Sequence, residues 1–242
     1  MQLPNSFVVP TAILISLSNF LGVQQPPSLT ELVEQFMRTS VFWQQFDVTR
    51  SIVARGDPQV LKQLEAWLTH EDRHLRGNAA FVFASLGDTR GLEVLTGILN
   101  DSSDRPEGQG VGIAPGDGRY RVERQIEADR YYAVHLLGEL RDARAVPILV
   151  PLLRDTRVNY KVAWALGEIG SQAAVDPLIR ALDDKSADVR VIAIQSIAKL
   201  GAKEAVPRLR LLLNDNEQAR FDTQVSVSEA ARTAIAKLQG AP

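Results

Sequence analysis

An all-α solenoid is the fold this chain predicts: a right-handed superhelix of about five helix pairs, closed by a helical cap at each end. Three observations predict it. Four Ala-rich apolar stretches (79–86, 133–140, 162–169 and 193–200) share one helical pattern, and each runs into a Leu or Ile followed by a turn. Each is followed by a second pattern that ends in aspartate: Leu92-x-x-Leu95-x-x-x-Leu99-x-Asp101, Val146-x-x-Leu149-x-x-x-Leu153-x-Asp155, Val175-x-x-Leu178-x-x-x-Leu182-x-Asp184 and Val206-x-x-Leu209-x-x-x-Leu213-x-Asp215. The unit recurs about every 30 residues, a spacing that signals stacked helical repeats.

The elements follow in order. A short helix over 28–37 is expected, capped by Ser28 or Thr30, with Glu31 in its first turn and Arg38 at its end. A degenerate first repeat comes next: a helix over 42–54, the turn Gly56-Asp57-Pro58, and a second helix over 60–68 with Leu61, Leu64 and Leu68 inward. Trp43 and Trp67 give this end the bulk that a terminal repeat needs. The later repeats cover 72–101, 129–155, 158–184 and 188–215, and a helix over 228–238 closes the stack with Ala231, Ile235 and Leu238 inward. Gly87, Gly170 and Gly201 stand where a helix ends in a left-handed residue, but the third repeat has Arg141-Asp142 instead. Pro147, Pro177 and Pro207 mark the starts of second helices, where a missing N–H does no harm. Pro151 lies deeper and is expected to loosen its helix.

The period breaks at two places. An insertion over about 102–126, rich in Gly and Pro, reads as a loop, with 121–127 extending the next helix backwards. A smaller insertion covers 216–225. Inserted segments in repeat proteins tend to gather on the binding edge.

Composition narrows the function classes. The 242 residues carry 27 basic and 29 acidic side chains for a net charge of −2, which gives no general pull toward nucleic acid or anionic lipid. Cysteine is absent, which excludes disulfides and thiolate metal sites. The first 30 residues hold no charged side chain, and an apolar run over 7–21 is too short for a stable membrane span. Residues 1–27 are therefore read as an N-terminal apolar segment, either a secretory signal peptide, which places the chain outside the cytoplasm, or a capping segment. The repeat domain is assigned to 28–240.

The pattern A-x-x-x-L-G-x-I-G, a short turn, then A-V-x-P-L resembles HEAT repeats, and more narrowly the short HEAT-like repeats of phycobilisome lyases. The fourth repeat carries it most fully, in Ala163-Trp164-Ala165-Leu166-Gly167-Glu168-Ile169-Gly170 and Ala174-Val175-Asp176-Pro177-Leu178. The resemblance covers about 41–238. It implies second helices on the concave wall and first helices on the convex one. For function it implies little, since such repeats serve scaffolds, lyase subunits and enzymes alike.

Candidate residues fall into rows. Arg76, Arg130 and Arg190, with Asn159 as the exception, keep step with Asp101, Asp155, Asp184 and Asp215. The row reads as an Arg–Asp ladder that stitches repeats, with a basic surface for an acidic partner as the alternative. Phe81, His135, Trp164 and Gln195 form another row, read as packing between repeats rather than as a stacking strip. His70, Glu71 and His74 suggest a metal only superficially; one His-Glu pair cannot supply the ligands of the HEAT-like di-iron hydroxylases, so they read as helix-flanking residues. Arg154, Arg180, Arg208 and Arg210 decorate the second helices, among Asp176, Asp183 and Asp184. With Arg119 and Tyr120 of the insertion they are the expected contacts for another protein.

No catalytic constellation, cofactor site or metal site is expected, and no nucleic-acid partner. The sequence alone therefore predicts a non-enzymatic binding scaffold. A bilin-lyase-like subunit is the alternative that the resemblance suggests, and a HEAT-like DNA glycosylase a further one.

Overall fold

The structure, a computed structural model, describes residues 26–103, 118–220 and 222–240, with side chains for all of these except 118–123 and 222–224. The apolar run over 7–21 lies outside the described residues. What is described is a stack of helix pairs with one short β-ribbon.

The first helix, α1 (Leu29–Arg38), starts at Ser28 with a reciprocal cap: its hydroxyl accepts the Glu31 N–H, and the Glu31 carboxylate accepts the Ser28 N–H at 2.7 Å. Then come α2 (Phe42–Arg55) and, after Gly56, a second element that is not the single helix expected over 60–68. It divides into a 3₁₀ turn (Pro58–Val60), the one-turn α3 (Leu61–Leu64) and a second 3₁₀ segment (Glu65–Thr69). So short an element is held by packing rather than propensity, and its ends tighten. Leu64 and Leu68 are buried and Leu61 partly so.

The second repeat is α4 (Arg73–Ser85), capped by Asp72, and α5 (Thr89–Asn100), capped by Asp88. The third begins with α6 (Gly118–Leu140) and continues with α7 (Val146–Leu149), which gives way to a 3₁₀ segment (Val150–Arg154). Pro151 has no N–H to continue an α-helical ladder, so the expected loosening is a change of helix type. The fourth repeat is α8 (Asn159–Ile169) with α9 (Val175–Ala181), and the fifth is α10 (Ala187–Leu200) with α11 (Val206–Leu211). The closing helix is α12 (Val227–Gln239).

Three expectations need correction. The helix expected to reach backwards over 121–127 does so and begins earlier, at Gly118, so the inserted loop ends before 118 rather than near 126; residues 104–117 lie outside the described residues. The insertion over 216–225 forms an antiparallel ribbon, β1 (Gln218–Ala219) with β2 (Asp222–Ser226). The closing helix starts at Val227, one residue before the expected 228, and is capped by Ser226, whose hydroxyl accepts the Glu229 N–H.

The first helices pack in sequence, α4 on α6, α6 on α8, α8 on α10 and α10 on α12, with the second helices laid against them. One continuous core results, anchored by Phe36, Phe83, Leu136, Leu166, Leu178 and Ile194. Each such side chain contributes about 1.5–3 kcal/mol on burial. Among the described residues, buried side-chain polar atoms have hydrogen-bond partners, with His135 Nδ1 as the exception. The Tyr132 hydroxyl donates to Asn78 Oδ1 at 2.6 Å, and Asn78 Nδ2 donates to Gln45 Oε1 at 2.9 Å and to the Phe42 carbonyl at 2.8 Å.

The Arg–Asp row is a structural ladder. Arg130 donates to Asp155 at 2.7 Å and to the Leu99 carbonyl at 2.9 Å. Arg190 donates to Asp215 at 2.9 Å and to the Asp184 carbonyl at 2.8 Å. Arg76 reaches Asp101 at 3.8 Å and the His70 carbonyl at 2.9 Å. Each guanidinium thus joins the carboxylate that ends its own repeat to the carbonyl edge that ends the one before. Asn159, the exception, is a neutral donor and makes a longer bond to Asp184 at 3.4 Å.

Arg73 does a related job at the insertion. It donates to Asp101 and Asp129 at 2.9 Å each, and to the carbonyl and hydroxyl of Ser103 at 2.7 Å. Both flanks of the insertion are therefore pinned to the start of α4.

Candidate functional site: a groove along the second helices

Short second helices leave a furrow where successive repeats meet. Between the segment that follows α7 and the end of α9 it opens into a cavity of ≈ 820 Å³. Its apolar surface comes from Val150, Leu153, Pro177 and Ala181, and its polar rim from Arg154, Arg180, Asp183, Asp184 and Lys185. A second depression of ≈ 610 Å³ adjoins it and shares Val150, Pro151, Pro177 and Arg180. The repeat sets this geometry. Pro147, Pro177 and Pro207 stand in the first turn of the second helices of the third to fifth repeats, and the aspartate turn at each end turns the chain away.

The electrostatics of the rim are asymmetric. Its carboxylates are engaged: Asp183 accepts from Arg208 at 2.5 Å and 2.7 Å, and Asp184 accepts from the Ser186 N–H at 2.8 Å and from Asn159. Arg154 and Arg180 are exposed, and among the described residues neither guanidinium has an ion-pair or hydrogen-bond partner. The groove therefore offers two available planar donors beside an apolar floor. A flat, largely apolar molecule with carboxylates at its edge fits that chemistry, because Arg forks bind carboxylates in pairs of parallel bonds.

The residues expected to contact a partner separate accordingly. Arg154 and Arg180 come together in the groove. Arg208 stands beside it, held by Asp183, and Arg210 is exposed next to Leu211 without lining it. Arg119 and Tyr120 lie in the first turn of α6, but their side chains fall outside the described residues. Lys185 was not singled out from the sequence and lines the rim. Its place in the turn after Asp184, one step past the repeat motif, was the only available sign.

The remaining rows are packed. Phe81 meets Phe46 edge-on at 5.2 Å, and His135 stacks on Trp164 at 5.2 Å, while Gln195 is exposed. His70 accepts the Asp72 N–H at 3.0 Å, and His74 stacks on Phe42 at 4.3 Å. No helix among the described residues is long and apolar enough to cross a membrane.

The HEAT-repeat family pattern matches residues 123–188 and 154–229. Among curated proteins, the chain is 39% identical over 95 residues to phycocyanobilin lyase subunit alpha of Picosynechococcus sp., covering 35% of this chain and 35% of that protein. It is 32% identical over 104 residues to the bilin biosynthesis protein PecE of Nostoc sp., covering 42% of this chain and 41% of that one. The matched stretch thus spans well under half the length of these relatives. Among solved structures, an engineered protein aligns over 89% of this chain and 98% of its own, at 18% identity and a TM-score of 0.46.

Residues 123–229 carry HEAT repeats, and part of the chain is similar to proteins named as a phycocyanobilin lyase subunit and a bilin biosynthesis protein. The expectation of a non-enzymatic scaffold is corrected by these relatives, whose names are those of a lyase subunit and a bilin biosynthesis protein. The expectation failed because it took the lack of a catalytic constellation within one chain as a sign of no enzyme. A subunit that positions a reactive ligand needs no nucleophile of its own.

Proposed function

We propose that this chain is a bilin-lyase-like subunit, which holds a linear tetrapyrrole while the pigment is joined to an acceptor protein. The observation that carries the reading is the 39% identity to a phycocyanobilin lyase subunit. The groove supports it. A linear tetrapyrrole has a flat conjugated body and carboxylate side chains, and Arg154 and Arg180 stand free beside Val150, Leu153 and Pro177. The chain has no cysteine to form a thioether, so in this reading the bond-forming nucleophile belongs to the acceptor. The subunit contributes orientation and exclusion of water. A second protein subunit completes the unit, as the word subunit in the relative's name implies for that protein.

The test is co-expression of the full chain with a bilin supply, an acceptor protein and the companion subunit, followed by denaturing electrophoresis with bilin fluorescence. Covalent pigment on the acceptor that depends on this chain is the expected result. If acceptor loading is the same with and without the chain, while a known lyase loads it under the same conditions, the reading fails.

A further inference from the structure

One basic side chain outside the groove differs from all others of its kind. The chain has six lysines, and Lys62, Lys185, Lys199, Lys203 and Lys237 are exposed. Lys161, on α8, is half-buried. Its Nζ lies 3.4 Å from the centroid of the Trp164 ring and 5.0 Å from that of Tyr131. Tyr160 packs on Tyr131 at 6.0 Å, and His135 stacks on Trp164. Side chains of α6 and α8 thus wall the amine with aromatic rings.

No carboxylate neutralises it at close range. Glu168 is taken by Lys199 at 2.5 Å and approached by Arg141 at 3.7 Å. Among the described residues none lies within ion-pair distance of the Lys161 Nζ, so Glu139 and Glu168 act on it only through space. Burial pushes the amine down, to about 8, against the partial opposition of these two carboxylates. The ring faces attract the ammonium and return part of that loss. His135, the other titratable group at the cage, is itself pushed down by burial and then by the Lys161 charge, and its Nδ1 is buried without a hydrogen-bond partner. Arg50 acts on His135 in the same direction, from α2.

We propose that Lys161 is a nucleophilic amine and an acylation site for small activated acyl donors, namely thioesters and acyl phosphates. The neutral Nζ attacks the acyl carbon. A C–N bond forms as the thiolate or phosphate leaves with its bonding pair, and the proton from nitrogen goes to solvent. The product is a neutral, flat amide, which suits a crevice walled by Tyr131 and Trp164 better than a half-desolvated charge. Acylation also removes a cation that Glu139 and Glu168 now face. This inference is independent of the groove and of lyase activity.

The experiment exposes the full chain to acetyl phosphate and follows each lysine by peptide mass spectrometry over time. At pH 7.5 the initial rate at Lys161 is expected to exceed the mean of the five exposed lysines by about tenfold, because a larger share of its amine is unprotonated. At pH 10.5 the exposed amines are about half neutral and Lys161 almost wholly so, and the advantage should shrink to within about twofold. A Lys161 rate at or below the exposed mean at pH 7.5 would overturn the proposal. So would an advantage that persists undiminished at pH 10.5.

Discussion

Arg130 donates to Asp155, 25 residues on at the far end of the same helix hairpin, and with its Nε to the carbonyl of Leu99 in the preceding repeat. One buried guanidinium therefore closes its own hairpin and fastens it to the one before. Burial alone would raise the Asp155 carboxyl, but hydrogen bonds from Arg157 and Arg130 outweigh it and hold the group well below the usual carboxylate range. A depressed folded value means that this stabilisation is complete above about pH 5 and is lost as pH falls below about 4, toward the folded value. Arg130→Ala should cost about 1–3 kcal/mol at pH 7, since it strands the Leu99 carbonyl and leaves Asp155 with Arg157 as its remaining guanidinium partner. Urea titration at pH 7 and pH 3 checks both parts: the difference between wild type and variant should be clearly smaller at pH 3.

The same ladder shows how much was legible beforehand. Arg130 and Asp155 were readable as partners because the repeat puts both at fixed phase, and a fixed phase in a solenoid becomes a fixed place in space. The carbonyl contacts that make the ladder bind neighbouring repeats were not readable, since a backbone acceptor leaves no mark on side-chain pattern. The ribbon over 218–226 was missed for a similar reason. It is specified by pairing with itself and by the Val227 N–H donating to the Glu217 carbonyl at 2.9 Å, not by a run of β-branched residues. In the groove, Arg154 and Arg180 were visible as charges. That they stay free while Asp183 and Asp184 are engaged depends on Arg208 from the next repeat and on Asn159 from the opposite end of the same hairpin, and only the fold brings those together.

Arg141 holds a left-handed backbone at φ 54°, at the helix end where the fourth and fifth repeats have Gly170 and Gly201. A residue with a Cβ is strained there, by roughly 1–2 kcal/mol. Its guanidinium reaches Glu168 only at 3.7 Å, and Glu168 keeps the closer Lys199 in any case. Arg141→Gly is therefore expected to stabilise the chain by about 0.5–1 kcal/mol, after the added freedom of glycine in the unfolded chain is counted. A rise in thermal midpoint measures it; an unchanged or lower midpoint would show that the site is relaxed.

Gly167 lies where α8 meets α10 most closely. A Cβ there would stand 2.5 Å from Ser196 Oγ and 2.6 Å from Ser196 Cβ. Ser196 itself is fixed, donating to the Ala163 carbonyl at 2.9 Å. Gly167→Ala should destabilise by about 1–3 kcal/mol through overpacking, with partial recovery in the double variant with Ser196→Gly. Gly97, inside α5 and exposed, has nothing within 4 Å of the corresponding position. Gly97→Ala should stabilise by about 0.5–1 kcal/mol. Chemical denaturation of the two single variants should move in opposite directions, and a shared direction would refute the packing argument.

The groove makes the most specific functional prediction. If Arg154 and Arg180 hold the carboxylates of a bilin, reversing both with Arg154→Glu and Arg180→Glu should lower bilin transfer to the acceptor by at least about tenfold, since each charge-assisted contact is worth about 1.5–3 kcal/mol. Fold and stability should be nearly untouched, because both side chains are exposed and unbonded. Arg157→Glu is the matched control: it reverses a nearby exposed charge that does not line the groove, although it also loosens Asp155. Loss of transfer in the double variant alone, with unchanged helical circular dichroism, fits a carboxylate-binding role. Equal loss in the control would point to net charge along this face rather than to two particular forks, and retained transfer in the double variant would place the pigment elsewhere on the solenoid.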